Sequence, residues 1–382
     1  MFDTRNMGRR VETLGVRSMR PILAVLALLL LPYAPARAQG APAVADHPLA
    51  DVFHRYGDSG VGWTGGDSTY SVPLPDGRVV WMFSDTFLGQ VEPNHGRSNF
   101  TPMIHNSFVV QDGEALTTLH GDNNGRPMSL IPTEGNDRLG SYWVADGTVE
   151  GDRLHVFVNR FAILGVTFQQ VANDVATFTL PDLRLEKISP SPGAYIPCLQ
   201  CGSPINWGIG ILETEAYTYV YGSDEPPLAK HLHVARVPSG RLLEGPWEYW
   251  TGRGWTTDAL ASARILDRVS GEVSVVRTRT GYRLVAQDTG ILPEIYAYTA
   301  PDPWGPWTNK TLLFRTTDFP HDPVNGSRIT YNAHEHPHLA TETSTVVTYN
   351  MNSTSSAELY GDVHVYRPRF KVVPHPPGGP PL

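Results

Sequence analysis

The sequence predicts an all-β fold, a five-bladed β-propeller of four-stranded antiparallel blades, and three observations carry the prediction. Thirty-six Gly and 33 Pro occur among 382 residues beside 9 Trp, 16 Tyr and 13 Phe, so turn formers are paired with strand formers. Five strand-like runs follow turn signals and begin at residues 78, 153, 216, 282 and 345, a spacing that suits radial repetition. After residue 38 no stretch reads as a long amphipathic helix.

Composition removes other classes. Apolar residues make up 41% and charged residues 18% of the chain, enough for a packed core and not the balance of a disordered one. Gly and Pro follow no three-residue period, which excludes collagen. Two Cys cannot staple a chain of this length, so a hydrophobic core must hold it. The same composition also allows a β-sandwich or two stacked β domains.

Residues 1–38 read as a signal peptide. Arg17 and Arg20 precede an apolar run from Ile22 to Leu31, and Ala36-Arg37-Ala38 fits a cleavage site before Gln39. Met19 would open a complete signal on its own. Ten apolar residues fall short of the ~20 that span a bilayer, so no stable membrane anchor is expected. Loss of this segment removes six Arg and two acids and takes the net charge from −8 to −12. An acidic, exported protein with only four Lys is poorly suited to nucleic acid or anionic lipid. The expected location is secreted or periplasmic. Residues 39–373 then form one propeller domain, and the Pro/Gly-rich tail 374–382 is expected to be disordered.

The blades follow in order. The second strands are Arg78–Asp85, Arg153–Val158, Ala216–Tyr221, Tyr282–Ala286 and Thr345–Asn350. Inner strands precede them at Thr69–Val72, Tyr142–Val149, Trp207–Leu212, Glu272–Val276 and His334–Leu339. Third strands follow at Ser107–Val110, Asp174–Leu180, His231–Val237, Glu294–Thr299 and Asp362–Tyr366. Outer strands fall at Leu116–Leu119, Leu183–Ile188, Trp247–Trp250 and Thr311–Phe314. The fifth blade lacks its own outer strand, and residues around Val52–Tyr56 are expected to supply it and close the ring.

Inner strands of a propeller line its central channel. Around the turn Pro75-Asp76-Gly77, pairing Val72 with Val79 sets Asp67 across from Ser84, beside Asp85. Cross-strand Cβ atoms lie ~4.5–5.5 Å apart, so the two carboxyls meet at the channel mouth and one is expected to have a raised pKa. That is what a general acid beside an ionised partner requires. The other blades bring Trp143, Asp146 and Arg160, then Asn206, Trp207 and Asp224, then Glu272, Gln287 and Asp288, then His334, Glu335, His336 and Asn350. Acids, amides, imidazoles and aromatic faces around a concave centre suit a sugar. As strand-end residues near Gly, Asp67 and Asp85 could equally bind backbone N–H groups.

His334, His336 and His338 share one face if the segment is a strand. Their two-residue rise of ~6.6–6.8 Å is long for one ion, so hydrogen-bonded channel histidines are expected and no metal is assigned. No cofactor is required, with a single channel Ca²⁺ as the alternative. Cys198-Leu199-Gln200-Cys201 is one C-x-x-C, which excludes a Cys₄ zinc site and, in an exported chain, favours a local disulfide. Serine hydrolase, P-loop and zincin motifs are absent from the sequence.

Trp63-Thr64-Gly65-Gly66-Asp67-Ser68-Thr69-Tyr70-Ser71-Val72 leads through Pro75-Asp76-Gly77-Arg78 to Phe83-Ser84-Asp85-Thr86-Phe87-Leu88-Gly89. This resembles the opening blade of secreted bacterial proteins known as a domain of unknown function. Those proteins are similar to five-bladed propeller glycoside hydrolases and include endo-D-arabinofuranases. Asn106–Gln111, Asp146-Gly147-Thr148 and Tyr349-Asn350-Met351-Asn352 fit the same pattern. The resemblance implies acidic catalysis with Asp67 and Asp85 as the matching carboxylates. The resulting expectation is a glycoside hydrolase for a furanoside-containing, arabinan-like polysaccharide, acting as a monomer. Asp67 and Asp85 are its acid and its nucleophile or base, Asp146, Glu272 and Glu335 support them, and Trp143, Arg160, Asn206, Trp207, His334, His336 and Asn350 shape the sugar subsites. A non-catalytic glycan-binding propeller is the alternative.

Overall fold

The computed structural model describes residues 44–133, 140–164, 167–193, 205–226, 229–288, 292–318 and 328–382. Residues 1–38 and the Cys198–Cys201 pair lie outside them. Five antiparallel sheets form the five blades of a β-propeller.

From channel to rim, blade one is Trp63–Pro73, Val79–Leu88, Ser107–Asp112 and Ala115–Leu119. Blade two is Ser141–Glu150, Arg153–Leu164, Thr167–Thr179 and Arg184–Pro190. Blade three is Ile205–Glu213, Tyr217–Asp224, His231–Pro238 and Glu248–Trp250, with a short extra strand at Trp255–Thr256. Blade four is Ser274–Thr278, Gly281–Gln287, Glu294–Ala300 and Thr308–Arg315.

Blade five joins the two ends of the described chain. Arg328–Glu335, Ser344–Ser353 and Arg369–Pro374 are completed by Ala45–Asp46, which pairs with Val372 and Lys371. The ring therefore closes through the N-terminal segment, but not through Val52–Tyr56. Those residues belong to a helix, Leu49–Asp58. Leu49, Val52, Phe53 and Tyr56 recur at helical spacing, and Phe53 is buried among Trp63, Trp81, Phe83 and Phe370.

Three further expectations are corrected in blade five and the tail. Asp362–Tyr366 alternates like a strand, but Val363–Tyr366 is a 3₁₀ turn with the Asp362 carboxylate accepting from His364 N at 2.9 Å. The inner strand ends at Glu335, because Pro337 opens another 3₁₀ turn at Pro337–Leu339. His334, His336 and His338 thus do not share one strand face. The tail lies against blade four, where Pro381 bridges Thr278, Leu382 N donates to Arg277 O at 2.9 Å, and Arg283 donates to Gly379 O at 2.5 Å.

Blades pack through side chains alternating out of each sheet. Phe108 of blade one meets Phe178 of blade two with ring centroids 4.9 Å apart, over Leu154 and Val156. Trp207, Trp247 and Tyr249 form the equivalent layer between blades two and three, with Trp207 and Trp247 6.0 Å apart. Phe53→Ala should remove the helix's anchor and lower unfolding free energy by about 3–5 kcal/mol in a denaturant titration. A change under about 1 kcal/mol would mean that the helix does not contribute to closing the ring.

Candidate active site at the channel mouth

Pairing between inner and second strands is interrupted at one level in all five blades. In blade one, Gly66 pairs with Thr86 and Tyr70 with Met82, while Ser68 and Thr69 between them adopt φ of 71° and 64°. Ala145 and Asp146 oppose only Phe157 in blade two. Gly208 and Ile209 have no opposite residue in blade three. Residues 270–273 span a gap between Val269–Asp288 and Ser274–Val285 in blade four. Asn332 (φ 58°) and Ala333 oppose only Tyr349 in blade five. Bulges of this kind re-aim side chains.

Side chains link the interruptions into a collar. Ser68 Oγ donates to Glu272 Oε1 at 3.2 Å, and Glu272 Oε2 meets His334 Nε2 at 2.5 Å. The Tyr70 ring packs against His334 at a 46° tilt with centroids 4.1 Å apart, and its hydroxyl donates to Ile209 O at 3.3 Å. Asp146 Oδ2 accepts from Ile211 N at 2.8 Å, and Asn350 Nδ2 donates to Thr69 Oγ1 at 2.9 Å.

The first-blade register differs by one residue from the sequence reading, since Val72 pairs with Val80. With Gly66 paired to Thr86 and Ser68 to Phe83, Asp67 falls at a bulge that faces both Ser84 and Asp85. Asp67 Oδ2 accepts from the hydroxyls of Tyr331 at 2.8 Å and Tyr366 at 2.7 Å, while its Oδ1 is buried with no hydrogen-bond partner. Burial, and then the nearby Asp85 charge, push the Asp67 carboxyl up to about 8 against the pull of the two tyrosines. Burial and Asp67 also hold both tyrosines well above their ordinary range, so they remain O–H donors. Asp85 Oδ1 accepts from the indole Nε1 of Trp143 at 3.1 Å and meets His105 Nδ1 at 2.9 Å.

Glu272 is raised by burial and restrained by its bond to His334. Burial lifts Asp146 to about 6, opposed by backbone N–H donation from Gly147 and Ile211. A cavity of about 690 Å³ lies at the hairpin-turn end of the channel, bounded by Tyr70, Asp146, Ile211, Val273, His334 and His336. Asp67 and Asp85 do not line it.

Several residues expected at the site have other work. Glu335 is a fully buried partner of Arg283, which reaches Oε2 from Nε at 3.0 Å, and it also accepts from Thr345. His336 is wedged between Ser71 Oγ at 2.6 Å and Thr348 Oγ1 at 2.8 Å, and burial holds its pKa well below the ordinary value. Trp207 is core, packed on Trp247 and Tyr249, so it is not a sugar plate. Asp224 is buried between Arg264 and His233. Gln287 donates to Thr330 O at 2.8 Å, and Asp288 accepts from Lys310 at 2.9 Å.

Others stay beside the pair or near it. Trp143 touches Asp85 and lies 4.7 Å from the Phe161 ring. Asn350 sits over the Asp67 strand with a buried, unpartnered Oδ1. Asn206 Oδ1 and Arg160 Nε are likewise buried without partners. The sequence reading missed Tyr331, Tyr366 and His105. No group of three or more His, Cys, Asp or Glu is placed to hold a metal ion among the described residues. Among the same residues no helix is long and apolar enough to cross a membrane.

The Asp67 environment makes stability pH-dependent. Its folded pKa is raised above the unfolded value, so the folded state holds the extra proton and loses stability as pH rises between about 4 and 8. Asp67→Asn should remove that slope, so the variant gains on the native protein across this window and the gap levels off above it. Parallel pH–stability curves would contradict a protonated Asp67.

Comparisons with known proteins complete the description. Residues 50–374 match the family described as Domain of unknown function (DUF5005), and the chain belongs to that family. The "putative hydrolase" of Bacteroides ovatus superposes with a TM-score of 0.69 at 21% identity, covering 85% of this chain and 88% of that one. The GH43_1 enzyme from Xanthomonas citri complexed with xylotriose gives 0.49 at 13% identity, over 87% and 94% of the two chains. The α-L-arabinofuranosidase of Podospora anserina complexed with cellotriose gives 0.47 at 11%, over 84% and 93%. No curated protein matches the chain.

Proposed function

We propose that this member of the DUF5005 family is a glycoside hydrolase that cleaves a furanoside-containing, arabinan-like polysaccharide at the channel mouth. The observation that carries the reading is a carboxyl raised to about 8 by burial and a neighbouring carboxyl, with one of its oxygens lacking any partner. The tyrosines occupy Asp67 Oδ2. The proton then sits on Oδ1, the oxygen without a protein partner, from which general-acid catalysis passes it to the glycosidic oxygen once a bound sugar reaches that atom.

Asp85 attacks the anomeric carbon as that bond breaks, and the leaving alcohol takes the Asp67 proton. Water then hydrolyses the glycosyl–Asp85 ester, giving its proton back to Asp67. Glu272 contributes by raising Asp67 further, and Asn350, Asn206 and Arg160 offer polar atoms for hydroxyls. Three acids around one mouth disfavour a uronate or phosphate substrate. The furanoside class comes from the first-blade resemblance. The protein works as a monomer outside the cytoplasm after cleavage at Ala38/Gln39.

Incubation with arabinans and other neutral polysaccharides should release oligosaccharides. Asp67→Asn and Asp85→Asn should each lower kcat about 10²–10⁴-fold, and wild-type rates in both would sink the catalytic assignment. Glycan binding without cleavage by the native protein would move the reading to a carbohydrate-binding propeller. Because the acid must be protonated, kcat/KM should fall as pH rises through about 8. Carboxyls set close together at one bulge favour the ~5–5.5 Å separation of retaining enzymes, so the first-formed product should keep its anomeric configuration by NMR.

A further inference from the structure

We propose that His105 is a positioning residue for Asp85: with Trp143 it fixes Oδ1, and so selects Oδ2 as the oxygen that reacts. This rests on the hydrolase reading for its consequence, but the geometry is independent of it. Nδ1 of His105 lies 2.9 Å and the indole nitrogen of Trp143 3.1 Å from the same Oδ1. An ionised carboxylate can only accept, so His105 must carry its proton on Nδ1. A half-turn only exchanges two equivalent oxygens, while any smaller rotation loses both bonds, so the two donors fix the plane of the carboxylate and leave its other oxygen to react.

The donors are locked to each other through the neighbouring residue. Asn106, fully buried, donates from Nδ2 to Ile131 O and Tyr142 O, each at 3.0 Å, and accepts from Ile131 N at 2.6 Å. Asn106 follows His105, and Tyr142 precedes Trp143, so one amide ties both donors to a common frame. His105 N donates to Ser129 Oγ at 3.1 Å, and its preceding strand Met103–Ile104 pairs with Phe87 and Thr86 beside Asp85. This is preorganisation: the reacting oxygen is set before a substrate arrives.

Two measurements decide it. Ring ¹⁵N–¹H correlation spectra of the native protein should show His105 protonated at Nδ1, and an unprotonated Nδ1 would overturn the assignment. In kinetics, His105→Leu should lower kcat about 10²-fold with KM nearly unchanged. His105→Asn, whose amide N–H can replace Nδ1–H, should recover most of the loss at the same melting temperature. A Leu variant with native kcat, or an Asn variant as poor as Leu, would refute the positioning role. If the native protein cleaves no glycan, the hydrolase reading fails while the spectra still decide whether His105 donates to Asp85.

Discussion

The site depends on a feature at the axis of the ring, where all five inner strands interrupt their ladders and re-aim side chains there. At the level where pairing is interrupted, backbone groups lose their partners, and buried unpaired groups are costly. Side chains take over. Asp146 accepts the N–H groups of Gly147 and Ile211, Ser84 Oγ accepts from Val144 N at 3.0 Å, and Tyr70 donates to Ile209 O. Much of the polarity of the throat is therefore structural. It replaces hydrogen bonds that the bulges remove, while Asp67 and Asp85 sit within the first two strands of blade one, at the interruption itself.

This constraint separates the acids by what they face. Glu335 faces the Arg283 guanidinium, and Asp224 faces Arg264 and His233, so both are buried charges neutralised by cations. Asp146 is neutralised by backbone dipoles. Asp67 has neither a cation nor a backbone donor, only two phenols on one oxygen and a second carboxyl nearby. Its cheapest state at neutral pH keeps the proton. The distinction lies in the partners, since all these acids sit in or beside strands of similar composition.

Sequence reveals local features of this architecture and hides the non-local ones. The hairpin around Pro75-Asp76-Gly77 brings Asp67 to Asp85 because the turn is short and the alternation on both sides is clear. The one-residue difference in register is already set at the hairpin, where Pro73 pairs with Val79, and nothing in the identity of Ser68 and Thr69 announces the left-handed φ of the interruption beyond it. Glu335 looked unpaired because its arginine lies 52 residues earlier, on the second strand of the neighbouring blade. Tyr331 was hidden by an inner strand that starts six residues before His334. Tyr366 was hidden by alternation that belongs to a 3₁₀ turn.

The seam between blades one and five shows how closure and chemistry are joined. A loop of blade one carries Arg97, which is buried without a carboxylate and donates to Leu359 O at 2.8 Å and Val363 O at 3.0 Å. Its backbone N–H bonds Tyr360 O at 2.7 Å, and Val363 N bonds His95 O at 2.9 Å. Burial lowers the guanidinium to about 10, so it stays charged while spending its donors on carbonyls. Those carbonyls belong to the insertion between the second and third strands of blade five, the segment that ends in Tyr366. Tyr366 then reaches back to Asp67 in blade one. The proton-bearing carboxyl is thus completed by a residue 299 positions away, delivered by a clasp that can exist only once the ring has closed. An open ring would leave Asp67 without either of its phenol donors, since Tyr331 also belongs to blade five, which makes closure a condition for the site as well as for the fold.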